Sequence, residues 1–84
     1  MDYYLGEIIL LPDTAVPGDA WRHCDGQLLN NRHDAALFSL IETRFGGDGE
    51  PFYALPDYRR VAPPGSKYFM FVGWTAGGKF PERP

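Results

Sequence analysis

Apolar residues in this chain come in short runs, and nearly every run is closed by Gly, Pro or Asp. Residues 3–11 are aromatic or aliphatic apart from Gly6 and Glu7, and Pro12-Asp13 stops them, which predicts an N-terminal strand. A turn-rich loop follows, ending in Pro17-Gly18. Residues 21–24 predict a second short strand. Asp25-Gly26 has the composition of a two-residue hairpin turn, so residues 27–29 are expected to return as the partner strand. Asn30-Asn31 then offers a helix N-cap, Asp34 falls in the first turn, and Leu37, Leu40 and Ile41 recur at helical spacing, which together predict one helix over residues 32–44. It ends at Phe45-Gly46-Gly47, where glycine suits the left-handed position after a helix.

No second helical repeat occurs. The remaining third is dense in Gly and Pro, with short strands expected over residues 53–55 and 67–74. The pattern gives an α+β fold: a small single domain over residues 1–84, with short antiparallel strands including a hairpin, one α-helix, extended Gly/Pro-rich loops, and residues 76–84 as a C-terminal tail.

Composition narrows the function. An apolar fraction of 44% and six Phe, five Tyr and two Trp describe a globular chain rather than a disordered one. A net charge of -3, with no basic run longer than Arg59-Arg60, argues against a nucleic-acid groove. The longest apolar runs are strand-sized, so membrane insertion is not expected, nor does the N-terminus read as a secretory signal. With 84 residues the surplus of burial over ordering entropy is small, and a lone cysteine allows no intrachain disulfide. Metal or self-association remain as candidate staples, and since the aromatics outnumber what a small core buries, some are expected to meet another surface.

The candidate chemistry is thin. His23-Cys24-Asp25 invites a thiolate reading, but neighbours on a strand point to opposite faces, so His23 cannot activate Cys24 there. A buried structural Cys24, with Asp25 as a turn residue, fits better. His23, His33 and Cys24 lack zinc-site spacing, although one histidine from each of three copies on a symmetry axis stays open. "FGGDGEP" lacks both the Lys-Ser/Thr of a phosphate loop and the alternating carboxylates of a calcium loop, which leaves Asp48 to bond local backbone N–H groups. A glycosidase-type pair drawn from the loop aspartates has little to set it apart from ordinary turns. No catalytic residue, metal or cofactor is assigned.

Taken in order, "LGEIILLP", "PGDAWRHCDGQLL", "ALFSLIETRFGGDG", "FYALPDYRRVAPPG" and "KYFMFVGWTAGGKFP" resemble the phage tail collar domain family, over nearly the whole chain. The residues that carry the likeness are Trp21, Cys24, Asp25, Gly26, Gln27, Phe38, Gly46, Gly47, Asp48, Gly49, Leu55, Pro56, Asp57 and Arg59. Departures include Glu42 where the family usually has Gly, Phe45 for Tyr, and a shortened Arg59-Arg60-Val61 segment. Members usually carry a long variable region before the closing strand; here only Ser66 separates Gly65 from Lys67.

The resemblance implies a non-enzymatic virion component that trimerises and sits in the tail, fibre or collar region, as a cap or adaptor among other tail, fibre or neck proteins. The candidate contact residues are Tyr3, Tyr4, Arg59, Arg60, Trp74, Phe80 and Arg83. Two alternatives stay open. One is a minimal adhesin tip that binds host surface glycan through Trp74 and Tyr58; the other is a head decoration or neck protein.

Overall fold

The computed structural model describes residues 3–73. Five strands and one helix run in the order β1 (Ile8–Pro12), β2 (Trp21–His23), β3 (Leu28–Asn30), α1 (Ala35–Ile41), β4 (Phe52–Ala54) and β5 (Ser66–Phe71). They form two antiparallel sheets, one of order β1-β5-β2 and one pairing β3 with β4. The α+β class is therefore the one the apolar pattern indicates.

The pairing is less local than the sequence suggests. Trp21 stands opposite Phe71, and Leu28 opposite Ala54, so β2 and β3 belong to different sheets and do not form a hairpin. Asp25-Gly26 is a corner between sheets. Gly26 takes the left-handed φ of 83°, but Asp25 is not among the positive-φ residues, so the primed hairpin turn, which needs both, does not form.

β5 is the central strand, and its two faces divide the core. On one face Met70 and Val72 join Cys24, Leu37, Ile41, Tyr53 and Leu55 in a cluster, with Tyr68 packed against it. On the other, Phe69 and Phe71 meet Trp21, and Tyr3, Leu5, Ile9 and Leu11 pack against them. In β1, Ile-Ile-Leu-Leu-Pro, Ile9 and Leu11 supply this second face, while Ile8 and Leu10 stay exposed.

The helix is shorter than its predicted span. Residues 31–34 are a turn, because the Asn30 side chain accepts the Arg32 N–H at 2.8 Å and its carbonyl takes the N–H groups of His33 and Asp34. Asp34, expected in the first turn, is the residue before it and makes no side-chain cap bond. At the other end Glu42, not a glycine, takes positive φ (50°) directly after the last helical residue. Leu37 and Ile41 face the core one turn apart, whereas Leu40, expected beside them, is 53% exposed. The first strand likewise starts at Ile8 rather than Tyr3, since Glu7 donates its N–H back to the Tyr4 carbonyl and makes a turn of residues 4–7.

Candidate functional site: the motif clasp and the exposed apolar faces

The segments Cys24-Asp25-Gly26-Gln27 and Leu55-Pro56-Asp57 lie side by side. Gly26 donates to the Pro56 carbonyl, Leu55 to that of Gln27, and Tyr58 to that of Cys24, while Asp25 and Asp57 form an isolated antiparallel bridge. Cys24 also donates its N–H to Tyr68 in β5 at 2.9 Å. These bonds tie the corner between the sheets to the loop after β4, so the two segments act as a clasp.

Side chains of the same residues hold the corners. Asp25 Oδ1 accepts the Gln27 N–H at 3.0 Å, Asp48 Oδ1 the Glu50 N–H at 2.9 Å, and Asp57 Oδ1 the Arg59 N–H at 3.2 Å. Each is an Asp bonding its own backbone two residues on, the local geometry that makes a turn. Gln27 adds a bond from its side-chain amide to the His23 carbonyl at 2.8 Å. Arg59 grips Asp57 with two nitrogens, Nε at 2.9 Å and a terminal nitrogen at 2.7 Å. The side-chain bond from Arg59, helped by its backbone N–H, holds the Asp57 carboxyl at about 2.

The glycine segment after the helix lies along β4. Gly47 bridges Tyr53, Ala54 donates to the Gly46 carbonyl, Gly49 donates to the Phe52 carbonyl, and the Asn31 side chain donates to Gly49 at 2.6 Å. A Cβ on Gly47 would meet the Phe52 carbonyl oxygen at 2.6 Å, so backbone occupies the space a side chain needs. Phe38 packs on the Tyr53 ring at 5.0 Å and approaches Gly49 from the helix.

Nothing in this arrangement activates a nucleophile. Cys24 is fully buried, and burial, then the charge of Asp25, pushes its thiol up to about 11, the reverse of a reactive thiolate. His23 Nδ1 lies 3.6 Å from the Asp25 carboxylate and its ring stacks toward Phe69, not toward Cys24. Among the described residues no three His, Cys, Asp or Glu side chains converge as a metal set. An open groove of about 570 Å³ runs between Phe38, Thr43 and Gly49, with Glu42, Asp48 and Glu50 on its walls. Asp34, at the helix N-terminus, is a buried carboxyl raised above its ordinary range by that burial, against a smaller lowering by Arg22 and His33.

The proposed contact residues are dispersed. Tyr4 is 68% exposed, but Tyr3, expected at the surface beside it, packs edge-on against Trp21 at 5.0 Å and tilts onto Phe71 at 5.5 Å. Arg59 is exposed yet committed to Asp57, and Arg60 is exposed. Trp74, Phe80, Arg83 and the expected tail lie outside the described residues. The sequence reading missed Ile8, Leu10, Leu28 and Phe52, all large apolar side chains that the structure leaves exposed. Leu28 and Phe52 share the outer face of the β3–β4 pair, since the register sets Leu28 against Ala54 and Asn30 against Phe52. Their position in pairs of apolar neighbours, Leu28-Leu29 and Phe52-Tyr53, was the available signal: one member of each pair must face out.

The sequence matches the phage tail collar domain over residues 6–63. The chain belongs to that family. The matched span takes in the whole clasp, the helix and the glycine segment. Collar domains are structural parts of phage tails, not an enzyme family, and a tail component that meets other tail proteins is the role this membership supports. No curated protein gives a significant match. Among the described residues no helix of this collar domain is long and apolar enough to cross a membrane.

Proposed function

We propose that the chain is a single-domain structural subunit of the phage virion, without enzymatic activity, which assembles as a homotrimer and caps or joins other tail, fibre or neck proteins. The observation that carries this reading is the apolar outer face of the β3–β4 pair, where Leu28 is 57% and Phe52 46% exposed on a domain with little interior to spare. Three copies that cover this face would add the burial each copy lacks, and association that favours the folded state raises its stability by mass action. Of the exposed members of the predicted contact set Arg59 is held by Asp57, and Tyr4 and Arg60 are suited to the polar rim of such an interface. The charged motif residues act in this scheme as scaffold. Tyr58, one of the two side chains behind the glycan reading, is half-buried and edge-on to Tyr68 at 5.8 Å, so less of its ring is offered to a sugar.

Sedimentation equilibrium at micromolar protein tests the assembly. A trimer that Phe52→Glu converts to a folded monomer is the expected result. A native chain that stays monomeric, with its full circular dichroism signal, overturns it.

A further inference from the structure

β1 is an outer strand, because the sheet order is β1-β5-β2. The flanking bonds show which of its groups are left open: Glu7 accepts from the Phe71 N–H and Asp13 donates to the Gly65 carbonyl, both toward the β5 side. Alternation along an antiparallel ladder then turns the backbone groups of Ile9 and Leu11 toward β5 and those of Ile8 and Leu10 outward. Among the described residues these outward amides and carbonyls have no partner, and the two side chains are 36% and 44% exposed. Edge strands usually carry a lysine, an inward charge, a proline or a bulge that prevents further pairing. Of these β1 carries only Pro12, at its last position, which leaves the Ile8 and Leu10 amides open.

We propose that the free edge of β1 is a strand-addition site, and that its occupant is an extended apolar segment of a different protein with Lys or Arg at both ends. Open main-chain groups select an extended strand. The apolar character follows from the two faces: Leu10 stands opposite Tyr68 on one, and Ile9 and Leu11 pack into the aromatic cluster on the other, so an added strand meets apolar neighbours on both. The basic ends follow from Glu7 and Asp13, which bracket the strand. They also disfavour a second copy here, since a centred antiparallel pairing of β1 with itself brings Glu7 of each copy opposite or diagonal to Asp13 of the other, at both ends. This site goes beyond the assembly reading and needs no three-fold symmetry.

The test titrates the intact 84-residue protein with a capped peptide of four Val and Ile residues between paired lysines, followed by backbone amide NMR. The expected result is binding centred on Ile8 and Leu10, about tenfold tighter than for the same peptide with glutamates replacing the lysines. Leu10→Pro removes an outward N–H and leaves the β5 ladder its bonds, so it abolishes binding while the Ile9 and Leu11 amides stay protected from exchange. If that variant unfolds, Ile8→Lys serves instead, adding a charge at the edge without removing a backbone bond; binding weakens about tenfold. Asp13→Lys shrinks the preference for the lysine peptide. No binding, equal binding of the two peptides, or full binding to Ile8→Lys overturns the proposal. So does self-association that Ile8→Lys removes and the lysine peptide fails to compete with, which would assign the edge to a second copy. Loss of the trimer with peptide binding intact counts against the assembly reading alone.

Discussion

Arg59 closes on Asp57 through two nitrogens, at 2.9 and 2.7 Å, while its backbone N–H bonds the same carboxylate at 3.2 Å. Three donors from one residue converge on one acid beside the bridge between Asp25 and Asp57, so the ion pair is part of a turn that also anchors the corner between the sheets.

The acid limb of stability should report this pair. The Asp57 carboxyl falls from an ordinary 3.8 to about 2 in the folded chain, so the folded state holds that proton more weakly than the unfolded one. A lowered carboxyl pKa stabilises above the unfolded value and loses that contribution as pH falls toward the folded one. Urea midpoints measured from pH 5 down to pH 2 should therefore fall less steeply for Asp57→Asn than for the native chain. Parallel curves would show that the pair contributes nothing.

Cys24→Ala should cost about 1–2 kcal/mol in denaturant unfolding, because it removes a fully buried sulfur from the larger core cluster. Assembly should be unaffected. The native thiol should also resist alkylation at pH 8 until denaturant is added, since its pKa lies near 11. Rapid labelling of the folded protein is the contrary result.

Glu42 is the one non-glycine among the described residues with positive φ, at φ 50° and ψ -138°. Such backbone costs an L-residue of order 1 kcal/mol or more, and glycine takes it freely. Glu42→Gly should raise the unfolding free energy by about 1 kcal/mol, less whatever the unfolded chain gains in freedom. A drop in the urea midpoint would refute the strain.

Gly47→Ala should be severe. Its Cβ would lie 2.6 Å from the Phe52 carbonyl oxygen and 2.7 Å from the Tyr53 Cα, both backbone atoms that cannot swing aside. We expect a loss of at least about 2–3 kcal/mol, or failure to fold. Gly6→Ala is the comparison, since positive φ is retained there but nothing lies within 4 Å; equal losses would show that conformation alone, not the clash, sets the cost.

Local chemistry was legible in the sequence and partner choice was not. The apolar runs at Ile8 and Phe69 mark strands, and Leu37 with Ile41 marks a helix, because periodicity is a property of neighbours along the chain. The Asp-Gly corner misleads for the same reason: a hairpin turn and a corner between sheets use the same two residues, and only the distant Phe71 opposite Trp21 distinguishes them. The helix was over-extended because Asn30, a good N-cap in isolation, spends its side chain on a preceding turn. Cys24 could be placed inward from residue type alone. The open edge of β1 could not be seen, since it depends on which strand takes the centre of the sheet.

That central strand also leaves the ribosome after both of its neighbours. Ile8 pairs with Met70, and Trp21 with Phe71, so neither neighbour has a sheet to join until β5 has been synthesised. A nascent chain therefore carries Ile8 to Leu11 without their sheet partner until then, and folding closes by insertion between two waiting strands, the slow regime expected of long-range pairing.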